Sequence, residues 1–204
     1  MIRKTLIAAA TVAAVMSSAS VFAAGTSGDT PVSTSTGKFG GGTITFTGSV
    51  TEAPCSIPAG EANQNIDLGT VSNKVLGTSS LSGSTPVPVK INLKNCDLGD
   101  ASTYHKASLK FLDDGNLSSA GKNKGLLNVT GSKDVAVQLL DRTGIHPIDF
   151  TSDASMKPGT EVSLSTGTDS TIVFMAHMTG VTGSSGTPPA GDIKAQVSYQ
   201  LDYH

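Results

Sequence analysis

The chain has 204 residues, a formal net charge of −2, 4% aromatic residues and no Trp. That balance leaves no electrostatic footprint for nucleic acid. It also requires a core of aliphatic side chains and a few Phe, and the abundance of Gly, Ser and Thr favours short strands and turns over long helices.

The first stretch is expected to fall outside the fold. Arg3 and Lys4 precede a short apolar run, residues 6–15, and small residues then lead to Val21-Phe22-Ala23-Ala24. A basic start, a brief apolar run and a small-x-small exit predict a secretory signal peptide, residues 1–23, cut before Ala24. The run is shorter than the roughly 20 residues a membrane helix needs. Residues 24–42 form a polar arm rich in Gly, Ser and Thr, which by composition reads as a linker. Val32, Thr34 and Thr36 recur at alternate places in it, so the arm is able to add a strand to an open sheet edge. Residues 43–204 are the size of one domain.

From Thr43 the apolar period is two. Ile44 and Phe46 alternate with Thr45 and Thr47, predicting a strand over residues 43–51. Ile66 and Leu68 predict a short strand ending at Gly69, and Val87, Val89, Ile91 and Leu93 predict another. Pro86 and Pro88 belong at a strand start or on an edge strand. Further strands are expected over residues 107–112, 134–140, 161–165 and 170–178, where Ile172, Phe174, Ala176 and Met178 share one face. The last strand alternates from Ile193 through Ala195, Val197, Tyr199 and Leu201 to Tyr203. No helical stripe exceeds a turn or two beyond the signal peptide. Many short strands separated by turns in one domain predict an all-β sandwich.

The two cysteines, Cys55 and Cys96, both lie in the exported part, where an even count predicts one disulfide. Free thiols or half of a metal site are the alternatives, but no neighbouring Cys or His completes a zinc set. His105, His146, His177 and His204 have no HExxH or triad context, so no enzyme, cofactor or metal is expected. His177 falls on the face opposite Phe174 and is expected to meet solvent. Asp113-Asp114-Gly115-Asn116 reads as a turn, lacking the spacing of a calcium loop. Asn116-Leu117-Ser118 and Asn128-Val129-Thr130 match the glycosylation acceptor pattern, which recurs by chance in chains of this composition.

Four segments carry a family likeness. Residues 42–57 (GTITFTGSVTEAPCSI), 65–71 (NIDLGTV), 91–96 (INLKNC) and 195–204 (AQVSYQLDYH) resemble, in this order, the fimbrial subunits of the chaperone–usher pathway, such as the major subunits of type 1 and P pili. The resemblance spans both ends and the cysteine frame, while residues 100–160 add little to it.

The resemblance implies an incomplete immunoglobulin-like β-sandwich completed by a donor strand from a neighbour. It implies a structural subunit of a surface fimbria, exported through the periplasm and supporting adhesion. Its partners would be identical or homologous subunits, a periplasmic chaperone and an outer-membrane usher, with a host receptor that the sequence does not name. It pairs Cys55 with Cys96. It places groove edges at residues 43–51 and 193–203 and a groove lining at Ile172, Phe174, Ala176 and Met178. Chaperone recognition would fall on Val197, Tyr199, Leu201, Tyr203 and His204. The donor strand would draw on Val32, Thr34, Thr36, Phe39, Gly40, Gly42, Ile44 and Phe46. A minor adaptor subunit, or a monomeric secreted binding sandwich, is the alternative.

Overall fold

A computed structural model describes residues 42–76, 83–99, 103–181 and 187–204. The chain divides into two units, Met1–Ser49 and Val50–His204. In the first, residues 42–49 form no strand and all are exposed, including Ile44 (78%) and Phe46 (88%). The strand expected over residues 43–51 is therefore absent. A lone β-segment has no ladder of its own and is not stable without a partner edge.

The second unit carries the sheets. The described residues form strands β1 (Val87–Leu93), β2 (Lys106–Leu112), β3 (Leu126–Leu127), β4 (Val129–Gly131), β5 (Val135–Leu140), β6 (Val162–Ser163), β7 (Ser170–Gly180), β8 (Ile193–Ala195) and β9 (Ser198–Tyr203), with one α-helix, α1 (Asp153–Thr160), and a 3-10 turn at Lys122–Lys124. They form sheets in the orders β1-β7-β5-β3, β6-β2-β9 and β4-β8. The strand pairings among the described residues are antiparallel; Val89 faces Phe174 across β1 and β7, and Leu109 faces Leu201 across β2 and β9.

Alternation explains the layering. Val89, Ile91 and Leu93 of β1 point inward with Ile172, Phe174 and Ala176 of β7, against Ala107, Leu109 and Phe111 of β2. Phe111 sits edge-to-face with both Phe150 and Phe174, with centroids 5.5 and 5.6 Å apart. β1 is an edge strand, so Pro88 withholds no hydrogen bond that a neighbour needs. The Cys55–Cys96 disulfide is formed. Beside it Ser56 and Lys94 exchange both backbone bonds at 2.8 Å.

Three other expectations differ. Residues 66–68 form no strand. The last strand breaks at Gln196-Val197: β8 pairs with β4, and β9 pairs with β2. Helix α1 runs just over two turns. Ser152 caps it by accepting a bond from the Ser155 amide at 3.2 Å. Buried Met156 and Thr160 seat it on β2, where Thr160 Oγ1 accepts the Leu109 amide at 2.9 Å.

Candidate functional site

A groove of about 1660 Å³ opens along the second unit. Its floor is the core itself: Val89, Ile91, Phe111, Val137, Phe174 and Met178 all reach its surface. One wall is formed by β8, β9 and the preceding residues from Pro189. The other is residues 62–73.

Both walls present open backbone. Among the described residues β9 ends its sheet and β8 pairs only with β4, so each has one edge without a strand partner. Among the described residues, the amides and carbonyls of residues 65–71 make a single hydrogen bond, from the Gly69 amide to Asp67 Oδ1 at 2.8 Å. Unpaired strand edges above an apolar floor are costly, and they are the template on which another strand pairs.

Side chains hold the second wall in place. Gln64 Nε2 donates to the Lys90 carbonyl at 2.7 Å, and Asn92 Nδ2 to Glu61 Oε2 at 2.7 Å, tying it to β1. Two bonds cross the groove. The Tyr199 hydroxyl donates to the Ala62 carbonyl at 3.0 Å, and Asn73 Nδ2 donates to the Pro188 carbonyl at 3.0 Å. The bonded positions are eleven apart on each wall, 62 to 73 and 188 to 199, and they pair in opposite order along the chain.

The expected site residues separate. Phe174, Ala176 and Met178 line the groove, whereas Ile172 lies fully buried beneath it, facing Ile91. Val197, Tyr199 and Leu201 line it as well. Tyr203 and His204 do not: Tyr203 packs edge-to-face on Tyr104 at 6.3 Å. The His204 carbonyl accepts the amides of His105 and Lys106 at 2.9 and 2.8 Å, and its ring Nε2 lies 3.1 Å from Glu161 Oε2. Hydrogen bonds from Lys106 and His204 hold the Glu161 carboxyl below its ordinary value. Gly42, Ile44 and Phe46 are exposed, while Val32, Thr34, Thr36, Phe39 and Gly40 lie outside the described residues.

His177 corrects an expectation. It is buried at 8% exposure rather than solvent-facing, because Gly83 and Ser84 cover the outer face of β7. The two acceptor-pattern asparagines are engaged locally. Asn116 Nδ2 donates to Asp114 Oδ1 at 2.8 Å, and Asn128 Nδ2 to the carbonyls of Gly115 and Leu117 at 3.2 and 3.3 Å.

A model of the family described as fimbrial protein matches residues 44–204. The chain belongs to the fimbrial protein family. It is 33% identical to the Fimbria A protein of Serratia marcescens, over 80% of this chain and 85% of that one. It is 32% identical to the type-1 fimbrial protein A chain of Escherichia coli strain K12, over 80% and 84%. Its fold matches a subunit in the structure of a chaperone–usher pilus with a TM-score of 0.63 at 24% identity, covering 81% of this chain and 97% of the other. In a fimbrial protein of this fold, the sequence pattern did not reveal the wall at residues 62–73. Its one cue was the alternation of Ile66 and Leu68, which pair with no strand among the described residues.

Proposed function

We infer that the chain is a structural subunit of a surface fimbria, exported and polymerised by donor-strand exchange. The observation that carries this is the groove: an apolar floor between two backbone edges that have no strand partner among the described residues. Strand addition satisfies such edges through main-chain bonds, and alternate side chains fill the pockets below.

The donor is the arm of a second copy. Its described end holds Gly42, Ile44 and Phe46 at alternate positions with their side chains in solvent. These residues have the right period for a strand and bury no apolar surface at home. Burying Ile44 and Phe46 in a neighbour contributes roughly 1.5–3 kcal/mol each. Ladder bonds add about 0.5–1.5 kcal/mol apiece, while ordering the arm costs on the order of 1–2 kcal/mol per residue. The near balance makes slow strand extraction the source of a fibre's persistence.

A periplasmic chaperone strand would pair with the same free edge of β9 before export, against Val197, Tyr199 and Leu201, and the usher would mediate its replacement. The chemistry throughout is main-chain pairing and apolar burial, so the role is structural rather than enzymatic.

The test is a double substitution, Ile44→Asp with Phe46→Asp. Both side chains are exposed, so the variant should keep the melting temperature of the wild-type monomer while forming no fibres by negative-stain microscopy. Wild-type-like fibres from the variant would refute the assignment.

A further inference from the structure

The two bonds that cross the groove stand at its ends. Tyr199 and Ala62 close one end, and Asn73 and Pro188 close the other. A missing strand leaves a gap of two strand spacings, about 9.6 Å. The Tyr199 side chain reaches over that gap from β9, and Asn73 reaches over it from the opposite wall. The clasped positions are eleven apart on each wall.

Each clasp occupies a main-chain carbonyl, Ala62 or Pro188, that faces into the gap. These are the acceptors that an inserted strand's amides would take. The donors are side chains on single rotatable bonds, and the Tyr199–Ala62 bond is solvent-accessible. Both bonds are therefore fit to open and be replaced.

We propose that Tyr199 and Asn73 are gating residues: they hold the empty groove at one strand's width and must release their carbonyls before a donor strand from a second copy can zip in. This rests on the donor-strand reading above. The clasps act on the rate of entry, because the bonds they make are lost in the filled state. They also keep the walls from collapsing together or splaying while the subunit is unfilled. That is a positioning role, made by residues at opposite ends of the site.

The experiment follows a dye-labelled peptide of residues 30–50, in excess, entering the dilute full-length exported chain by fluorescence anisotropy. Tyr199→Phe removes only the hydroxyl, and Asn73→Ala only the amide. Each is expected to raise the association rate about three- to tenfold, the worth of one ordinary hydrogen bond in a barrier. Dissociation of the filled groove should stay within about twofold of wild type. A purely structural role would instead lower the thermal stability of empty and filled forms alike and leave entry unchanged. Tyr104→Phe, which removes a hydroxyl away from the groove, should take up the peptide at the wild-type rate.

Unchanged or slower entry in either clasp variant, with the wild-type chain binding the peptide, would overturn the gate alone. Failure of the wild-type chain to bind the peptide at all would overturn the donor-strand reading and the gate with it.

Discussion

Nε2 of His177 lies 2.8 Å from Oε1 of Gln138, joining β7 to β5 on the sheet face turned away from the groove. Gln138 is oriented by its own amide, which donates to the Lys124 carbonyl at 2.7 Å, so its oxygen must face the ring. Nδ1 of His177 lies 3.2 Å from the Ser84 carbonyl. Both nitrogens thus meet acceptors, although a neutral ring donates only once. Burial pushes the imidazole below its ordinary value, and the Ser84 carbonyl opposes that shift without cancelling it.

The sign follows from linkage. The folded ring resists a proton that the unfolded ring takes up near pH 6.5, so stability falls as the pH drops below that value. The slope from this one group is at most about 1.4 kcal/mol per pH unit. Urea midpoints of the wild-type chain should fall between pH 7.5 and 5.5 more steeply than those of His177→Gln. Equal slopes in the two proteins would show that the imidazole is not held neutral.

Asp141 behaves in the opposite sense. Burial would raise its carboxyl, but hydrogen bonds from the Thr143 hydroxyl, the His146 amide and ring and the Ile145 amide outweigh it and hold the group at about 2. Its carboxylate organises the turn from β5 into Pro147. The contribution is complete above pH 3.8 and is lost as the pH falls towards 2. Asp141→Ala should cost about 1–2 kcal/mol at neutral pH, lowering the melting temperature by roughly 2–8 °C. The difference from wild type should shrink in acid.

Strands with one buried face were legible because alternation reports burial directly. The β1 pattern, from Val87 to Leu93, matches its observed limits. β2, β5 and β7 differ from expectation by a residue or two. Helix α1 was hidden because Pro158 and Gly159 sit inside it, and because only Met156 and Thr160 of its eight residues are buried. The groove was legible only in part. Phe174, Ala176 and Met178 share a face that periodicity exposes, but the second wall is defined by what it lacks. Residues 65–71 make almost no backbone bonds, and no local pattern announces an unpaired edge. His177 was misplaced for a related reason. Strand parity assigns a face, but the cover over that face comes from Gly83 and Ser84, more than ninety residues away in sequence.

The Cys55–Cys96 bond closes a loop with a sequence separation of 41. In the chain-entropy account, a loop of that length stabilises by about 4 kcal/mol. It also fastens Cys55, whose neighbour Ser56 pairs with Lys94, to the end of β1. Replacing both cysteines by Ser should lower the melting temperature by roughly 8–16 °C. Reduction of the wild-type chain should reproduce most of that loss, and a drop of a degree or two would show that the loop is already held by its packing.

Gly131 sets the position of the β8 wall. Its φ is +103°, in the region that side chains avoid, and a Cβ there would stand 2.0 Å from the Asp192 carbonyl. That carbonyl belongs to backbone, so the obstacle cannot swing aside. Gly131 also pairs with Ile193 at the start of β8, which lines the groove. Gly131→Ala should therefore push β8 away from β4, cost about 2 kcal/mol or more, and weaken binding of the donor peptide through the displaced wall. Gly191→Ala, at the residue before Asp192, meets nothing nearer than Ser132 Cβ at 3.8 Å and should change stability by less than about 0.5 kcal/mol. Melting curves of the two variants, read beside peptide titrations of Gly131→Ala, check both halves. A tolerated Ala at position 131 with unchanged binding would mean that the β4–β8 pair does not fix the wall.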